Sequence, residues 1–448
     1  MNETIAENTE NENLSKGDND GNTDDEVINE TGSEETLTRE AEMLSRLSNV
    51  FRSRILRIKR TIERVYPELE REQQEESARI KSHVFAFKEA PNNEMSEAEQ
   101  ALFIQMLTDS RTPYHSVFIR GMFLSIFSEM DAYTEAFLIE LFHMKPDIML
   151  ANQKQFSASE VFESDSIESF KKRVILKEVD SIKRESYIDQ ITYLENKFNI
   201  NTLKNFPNWS KYVEITQRRN IVTHNDGIVS EQYIKVCSNN KVDCKYEVGE
   251  KLKLDYNYLI EAISIIEEVS IKLIHTLWRK CFPCDTFLDE FDIILNQVIF
   301  DVLCDKEWSL AKELGSYACS GMKPKNPEAE MMLLVNYCIA LNNLNERDKT
   351  EQLLEKITSV MDQEFLLAKY VLLNDIENCI RLMKKIGVEG TYFKKESYPI
   401  FPLFDEIRKE EKFRETYREI FGEDINKEEI KKRIDEVEKA EVDDKNSI

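Results

Sequence analysis

An all-α fold is what the chain predicts, and three observations predict it. Glycine and proline number only 11 and 10 in 448 residues, few for a turn-rich β protein. Leu, Glu and Lys, which lose little side-chain freedom in a helix, are abundant. After residue 38, apolar residues recur three or four positions apart through most of the chain, which is the period of an amphipathic helix. The length is enough for two or three domains and a sizeable core.

Residues 1–38 hold twelve acidic side chains against Lys16 alone, so 12 − 1 gives 11 of the 25 net negative charges. With so little apolar surface to bury, they are expected to form a disordered acidic tail. Spread evenly, a charge of −25 would repel nucleic acid, so contact with RNA would have to be local.

From Arg39 the apolar positions Leu44, Leu47, Phe51, Ile55, Ile58, Ile62 and Val65 predict a long amphipathic helix, the core of a helical arm and linker over residues 39–94. Pro67 and the polar run after it are expected to end the helix, with a linker over 89–96. Arg52, Arg54, Arg57, Lys59, Arg60 and Arg64 make the arm basic. Such a run either touches an RNA backbone or forms a solvated face beside a packing seam, the second being the commoner fate.

Residues 95–283 read as a helical bundle. The stripe Ile119, Met122, Ile126, Met130, Tyr133, Phe137 and Leu141 predicts a core helix over 116–143, closed by Lys145-Pro146. Further helices are expected over 166–172, 174–198 and 209–224. A short extended excursion is expected at Val236-Cys237 and Tyr246-Glu247-Val248. Asp255 is a natural N-cap for a helix through Leu259, Ile263, Ile266, Leu273 and Leu277.

Residues 284–422 suggest shorter helices over 308–316, 329–344, 349–360, 364–373 and 376–386. Ala311, Ala340 and Ala368 lie 29 and 28 positions apart, where stacked helices would touch. The expectation is an α-solenoid-like, tetratricopeptide-like array, with 399–422 as a capping helix and 423–448 as a charged C-terminal tail.

Eight cysteines show no framework of short spacings, so they are expected to be reduced and buried, as in a cytoplasmic protein. Cys281 and Cys284 form the one close pair, without a second pair or a histidine at zinc-finger spacing. No metal or cofactor is therefore expected. The N-terminus has no secretory pattern, and no apolar run approaches the roughly 20 residues of a membrane helix.

The stretch around which the bundle is organised is RRNIVTHNDGIVSEQYI, Arg218 to Ile234. Arg219 and His224 are five positions apart, about 140° beyond a full turn, and share an edge of the helix. Asn225-Asp226-Gly227 is a helix stop with Gly227 as its left-handed residue. On position alone, a histidine in a last turn is favoured by the helix dipole, and Arg219 could simply pair with Glu214. His83, His115, His143 and His275 are isolated from one another. The absence of a Gly-rich phosphate loop, a nucleophile elbow and a His-Glu-x-x-His helix argues against an ATPase, an α/β-hydrolase and a zinc protease.

This stretch, the core helix before it and the Tyr-rich helix after it resemble the HEPN superfamily. Its signature is an Arg followed after four to six residues by His, often with a polar residue directly after the Arg, the place Asn220 takes. The resemblance covers roughly residues 95–280. It implies a metal-independent endoribonuclease of the kind found in anti-phage, abortive-infection and toxin–antitoxin systems, working as a dimer with two motifs facing each other. Carried over, Arg219 and His224 are catalytic and Asn220 supports them. The residue types suit that chemistry: cleaving RNA through its own 2′-OH needs a base, an acid and a cation on the charged phosphorane. One chain supplies one histidine at the motif, and a homodimer would supply two. In the alternative, the bundle only dimerises and residues 284–422 dock a regulatory protein.

Overall fold

A computed structural model describes residues 37–89, 114–150, 155–358 and 361–426, with isolated positions between 96 and 104. The expected acidic tail up to residue 36, most of the expected linker, and the C-terminal charged end from 427 onward lie outside the described residues. Apart from an isolated antiparallel bridge between Ile228 and Lys251, regular structure among the described residues is helical.

The first helix, α1 (Arg39–Glu89), buries Leu44, Phe51, Ile55 and Ile62, the seam its periodicity predicts. It does not stop at Pro67. A proline inside a helix forfeits one backbone hydrogen bond and crowds the preceding turn, about 3 kcal/mol, but strong helix formers on both sides carry α1 through. Beyond Pro67 its face is largely solvated and laced by Arg71–Glu68, Arg71–Glu75 and Arg79–Glu75 pairs.

The basic run of α1 is not uniformly solvated. Arg52 meets Glu267 at 2.5 Å and Asp305 at 2.6 Å, while Lys59 meets Glu267 at 2.7 Å and also pairs with Glu307. Arg52, Lys59 and Glu267 are all buried. Burial opposes the charge on Arg52 and Lys59, yet the surrounding carboxylates hold both above their ordinary values. Burial, with Glu267 beside it, raises the Glu307 carboxyl.

Helix α2 (Tyr114–Met144) packs along α1, with Phe51 stacked on Tyr133 at 4.3 Å. Then come α3 (Ile167–Lys183) and α4 (Tyr187–Phe198). The break falls at 184–186 rather than at 173, because Ser186 is extended and its hydroxyl accepts from the Asp189 backbone N–H at 3.2 Å, capping α4. Next are α5 (Trp209–His224) and α6 (Glu231–Asn239). The expected extended excursion at Val236-Cys237 is instead the last part of α6, capped by the Ser230 hydroxyl on the Tyr233 N–H. Helix α7 (Tyr256–Cys281) starts at Asp255 as expected, whose carboxylate accepts from the Tyr258 N–H at 2.9 Å. Its middle is buried nearly all round, with Leu259, Ile263, Ile266, Ile274, Leu277 and Trp278 out of solvent together with the polar Glu267, Glu268, Lys272 and His275.

A helix not expected as such, α8 (Asp285–Cys304), follows and packs on α1. Cys304, at its end, is exposed rather than buried. Then come α9 (Trp308–Ser316), α10 (Pro327–Asn343), α11 (Arg347–Leu354), α12 (Gln363–Leu372) and α13 (Ile376–Ile386). Ala311, Ala340 and Ala368 are fully buried. Gly315 also lies at a close approach: a Cβ there would stand 2.8 Å from Tyr337 on α10. The stretch 399–422 is not one helix. Pro399 and Pro402 divide it into a turn of helix, Ser397–Ile400, two 3-10 turns, and α14 (Glu411–Phe421). No helix of the described residues is long and apolar enough to cross a membrane.

Candidate functional site

Helix α5 is held from both sides. Tyr212, Val213, Ile215, Ile221 and Val222 face the core. Glu214 gathers three donors at 2.7 Å each: the Nε of Arg218, the hydroxyl of Tyr233 on α6 and the hydroxyl of Tyr258 on α7. Arg218 also donates to the Lys253 carbonyl at 2.5 Å and lies 4.0 Å from the Tyr258 ring centroid. Burial opposes its charge, but Tyr258 and Glu214 hold the guanidinium above its ordinary value. Burial and the Glu214 charge raise both tyrosines. So it is Arg218, one full turn from Glu214, that makes the ion pair, not Arg219.

The end of α5 falls at the expected Asn225-Asp226-Gly227 stop, and is fixed there by two partners the sequence did not point to, Arg120 and Lys251. Asp226 and Gly227 both take left-handed φ values, +49° and +79°, and the Gly227 N–H turns back to the Ile221 carbonyl at 3.1 Å. Arg120 on α2 donates to the Val222 carbonyl and to Asp226, each at 2.6 Å, and Lys251 reaches the other Asp226 oxygen at 2.9 Å. Hydrogen bonds from Lys251 and Arg120 hold the Asp226 carboxyl below its ordinary value. Only the Ile119 stripe near Arg120 was readable in the sequence, and a stripe says nothing about the polar residue beside it.

Beyond this knot lies an open cleft of about 710 Å³ between α5, α6 and the start of α4. Asn220 and His224, four positions apart on one face of α5, both line it. His224 is exposed and has no hydrogen-bond partner among the described residues. Gln217, Gln232, Asn239 and Asp189 complete a wall of hydrogen-bonding groups without a Lys or Arg.

Arg219 is not among the lining residues. Half buried, it donates to Asn220 Oδ1 at 3.2 Å and lies 5.7 and 5.9 Å from the ring centroids of Tyr187 and Phe127. Tyr187 in turn donates to Asp131 at 3.2 Å. Burial raises the Asp131 carboxyl, against the Tyr187 hydrogen bond and the Arg219 charge. Of the three residues singled out in the sequence, the fold thus brings Asn220 and His224 into one cleft and sets Arg219 behind Asn220. His275 is fully buried in α7 and His143 is exposed at the end of α2, so neither lies at this cleft.

Among the described residues no group of three or more His, Cys, Asp or Glu stands ready to hold a metal ion, and Cys281 and Cys284 flank the buried Phe282 at the turn between α7 and α8. No family model, no curated protein and no solved structure matches the chain.

Proposed function

We propose that the protein is a metal-independent endoribonuclease of HEPN type, which cleaves RNA by attack of the 2′-OH on the adjacent phosphate. The observation that carries this reading is the shared placement of Asn220 and His224 on one face, in an open cleft, with the imidazole uncommitted. His224 transfers the proton, the Asn220 amide orients the sugar-phosphate, and Arg219 fixes Asn220 through its 3.2 Å contact and brings positive charge to the cleft's edge.

A single cleft offers one histidine and no lining cation, whereas the reaction needs an acid, a base and charge on the phosphorane. The reading therefore requires a second copy of the chain to complete the site. A regulatory partner on the helices from α8 onward, and a role in anti-phage defence, belong to the same proposal by resemblance alone.

The test is incubation of purified wild type, Asn220→Ala, Arg219→Ala and His224→Ala with structured RNA in EDTA. Cleavage by wild type that leaves 2′,3′-cyclic phosphate and 5′-OH ends, and is lost in His224→Ala, supports the reading. Equal cleavage by all four proteins removes it.

The placement of Arg219 away from the cleft wall favours a second reading, a non-catalytic dimerisation module that recruits another protein. In that case wild type is inert in every RNA assay, and overexpression is no more toxic than that of His224→Ala.

A further inference from the structure

A second cavity, of about 370 Å³, lies far along the chain from the motif, between α8, α10, the start of α12 and the segment leading into Ser397–Ile400. Its walls are aromatic. Phe300 and Phe401 stand 5.0 Å apart and Phe365 and Tyr392 5.1 Å apart, centroid to centroid. Against these rings sit two carboxamides, Asn296 and Asn336. Asn336 is only 3 % exposed, and its Nδ2 donates to Asn296 Oδ1 at 2.9 Å. That leaves Asn336 Oδ1 with no donor among the described residues, and Asn296 Nδ2 with only the Met332 sulfur at 3.8 Å, a weak acceptor. Asn336 lines the cavity, so a bound group that carried a donor could satisfy this oxygen.

Of the two carboxylates that line the cavity, Glu364 is already committed. Glu364 accepts the backbone N–H groups of Thr391, Tyr392 and Phe393 at 2.8, 3.1 and 2.6 Å, which ties the 391–393 segment over the cavity. No Lys or Arg lines the space, and Glu396 stands exposed at its edge. Phosphate is therefore disfavoured inside it. The volume is at the small end of ligand pockets and suits one or two fused rings.

We propose that this cavity binds an uncharged planar nitrogen heterocycle of nucleobase type. Its face lies on the aromatic walls, and an adjacent donor and acceptor on its edge meet Asn336 Oδ1 and Asn296 Nδ2. This site is independent of the cleft at Asn220 and His224 and of the reaction proposed there.

The test is isothermal titration of the full chain with adenine, guanine, cytosine and uracil, and with toluene as an apolar control. At least one base is expected to bind, with toluene weaker by about tenfold or more. In Asn336→Leu that base should weaken by at least about tenfold, with an unchanged circular-dichroism melt. Should Asn336→Leu fail to fold, Ser397→Trp, which fills the cavity from a half-buried position, should abolish binding instead. The proposal is overturned if no base binds up to about 1 mM. Equal affinity for toluene, or undiminished base binding in a folded Asn336→Leu or Ser397→Trp, overturns it too.

Discussion

Arg52 on α1 and Glu267 on α7 meet at 2.5 Å across 215 residues of sequence, with both side chains out of solvent. Lys59 takes the other Glu267 oxygen at 2.7 Å, so one carboxylate anchors two cations of the N-terminal helix to the centre of the fold. Glu267→Ala would leave two buried cations short of their shared partner, and breaking a buried pair costs about 3–5 kcal/mol. Chemical denaturation should show a loss of that size. Replacing Arg52, Lys59 and Glu267 together by apolar residues of similar volume should cost much less. A loss below about 1 kcal/mol in the single variant would mean the network contributes no more than a surface pair.

His275 predicts a pH dependence. Burial, with Arg279 adding to it, holds the ring down to about 3 against an ordinary 6.5, and neither ring nitrogen has a hydrogen-bond partner among the described residues. Below pH 6.5 the unfolded chain binds a proton that the folded one refuses until about 3. The stability is therefore fully present above 6.5 and falls as pH drops through that window, by up to about 1.4 kcal/mol per pH unit from this group. His275→Leu should flatten this part of the acid limb, and urea midpoints at pH 7 and pH 5 measure it. An unchanged difference between the two pH values would place the acid sensitivity elsewhere.

His224 is exposed and uncommitted, so His224→Ala should change stability by no more than about 0.5 kcal/mol. Under the proposed function it should lower RNA cleavage by roughly 10²–10⁴-fold, the usual worth of a general acid or base. Loss of cleavage together with an early melt would point to unfolding rather than chemistry.

If two chains complete the site, cleavage should rise more steeply than in proportion to protein concentration while the dimer is still forming. Rates measured over a dilution series decide this. Strict proportionality down to concentrations where light scattering finds only monomer would remove the second copy from the reading.

Gly315 faces Tyr337, with a Cβ placed 2.8 Å from that side chain. Gly315→Ala should destabilise by about 1–3 kcal/mol, because the tyrosine is fixed in the α9–α10 contact and cannot retreat freely. A melt indistinguishable from wild type would show that α9 and α10 can separate slightly.

Much of the helical framework was legible because a 3.6-residue period is a local property. The stripe of α2, the span of α5, the Asp255 cap of α7 and the left-handed Gly227 each depend on residues within a turn or two of one another. The same locality explains the misreadings. Pro67 is a breaker by itself and is overruled by its neighbours on both sides, while Ser186 caps α4 inside a period that continues through it.

The partners of charged groups were not local, and only the tertiary structure decided them. Arg52 and Lys59 look like a solvated basic face until Glu267, Asp305 and Glu307 arrive from more than 200 positions away. At the motif, the sequence by itself determined that a histidine would sit in the last turn of α5 with a polar residue one turn earlier. Which side each residue faces followed from packing. The 140° between Arg219 and His224 lets α5 turn the arginine toward Tyr187 and Phe127 while the histidine stays in the cleft with Asn220.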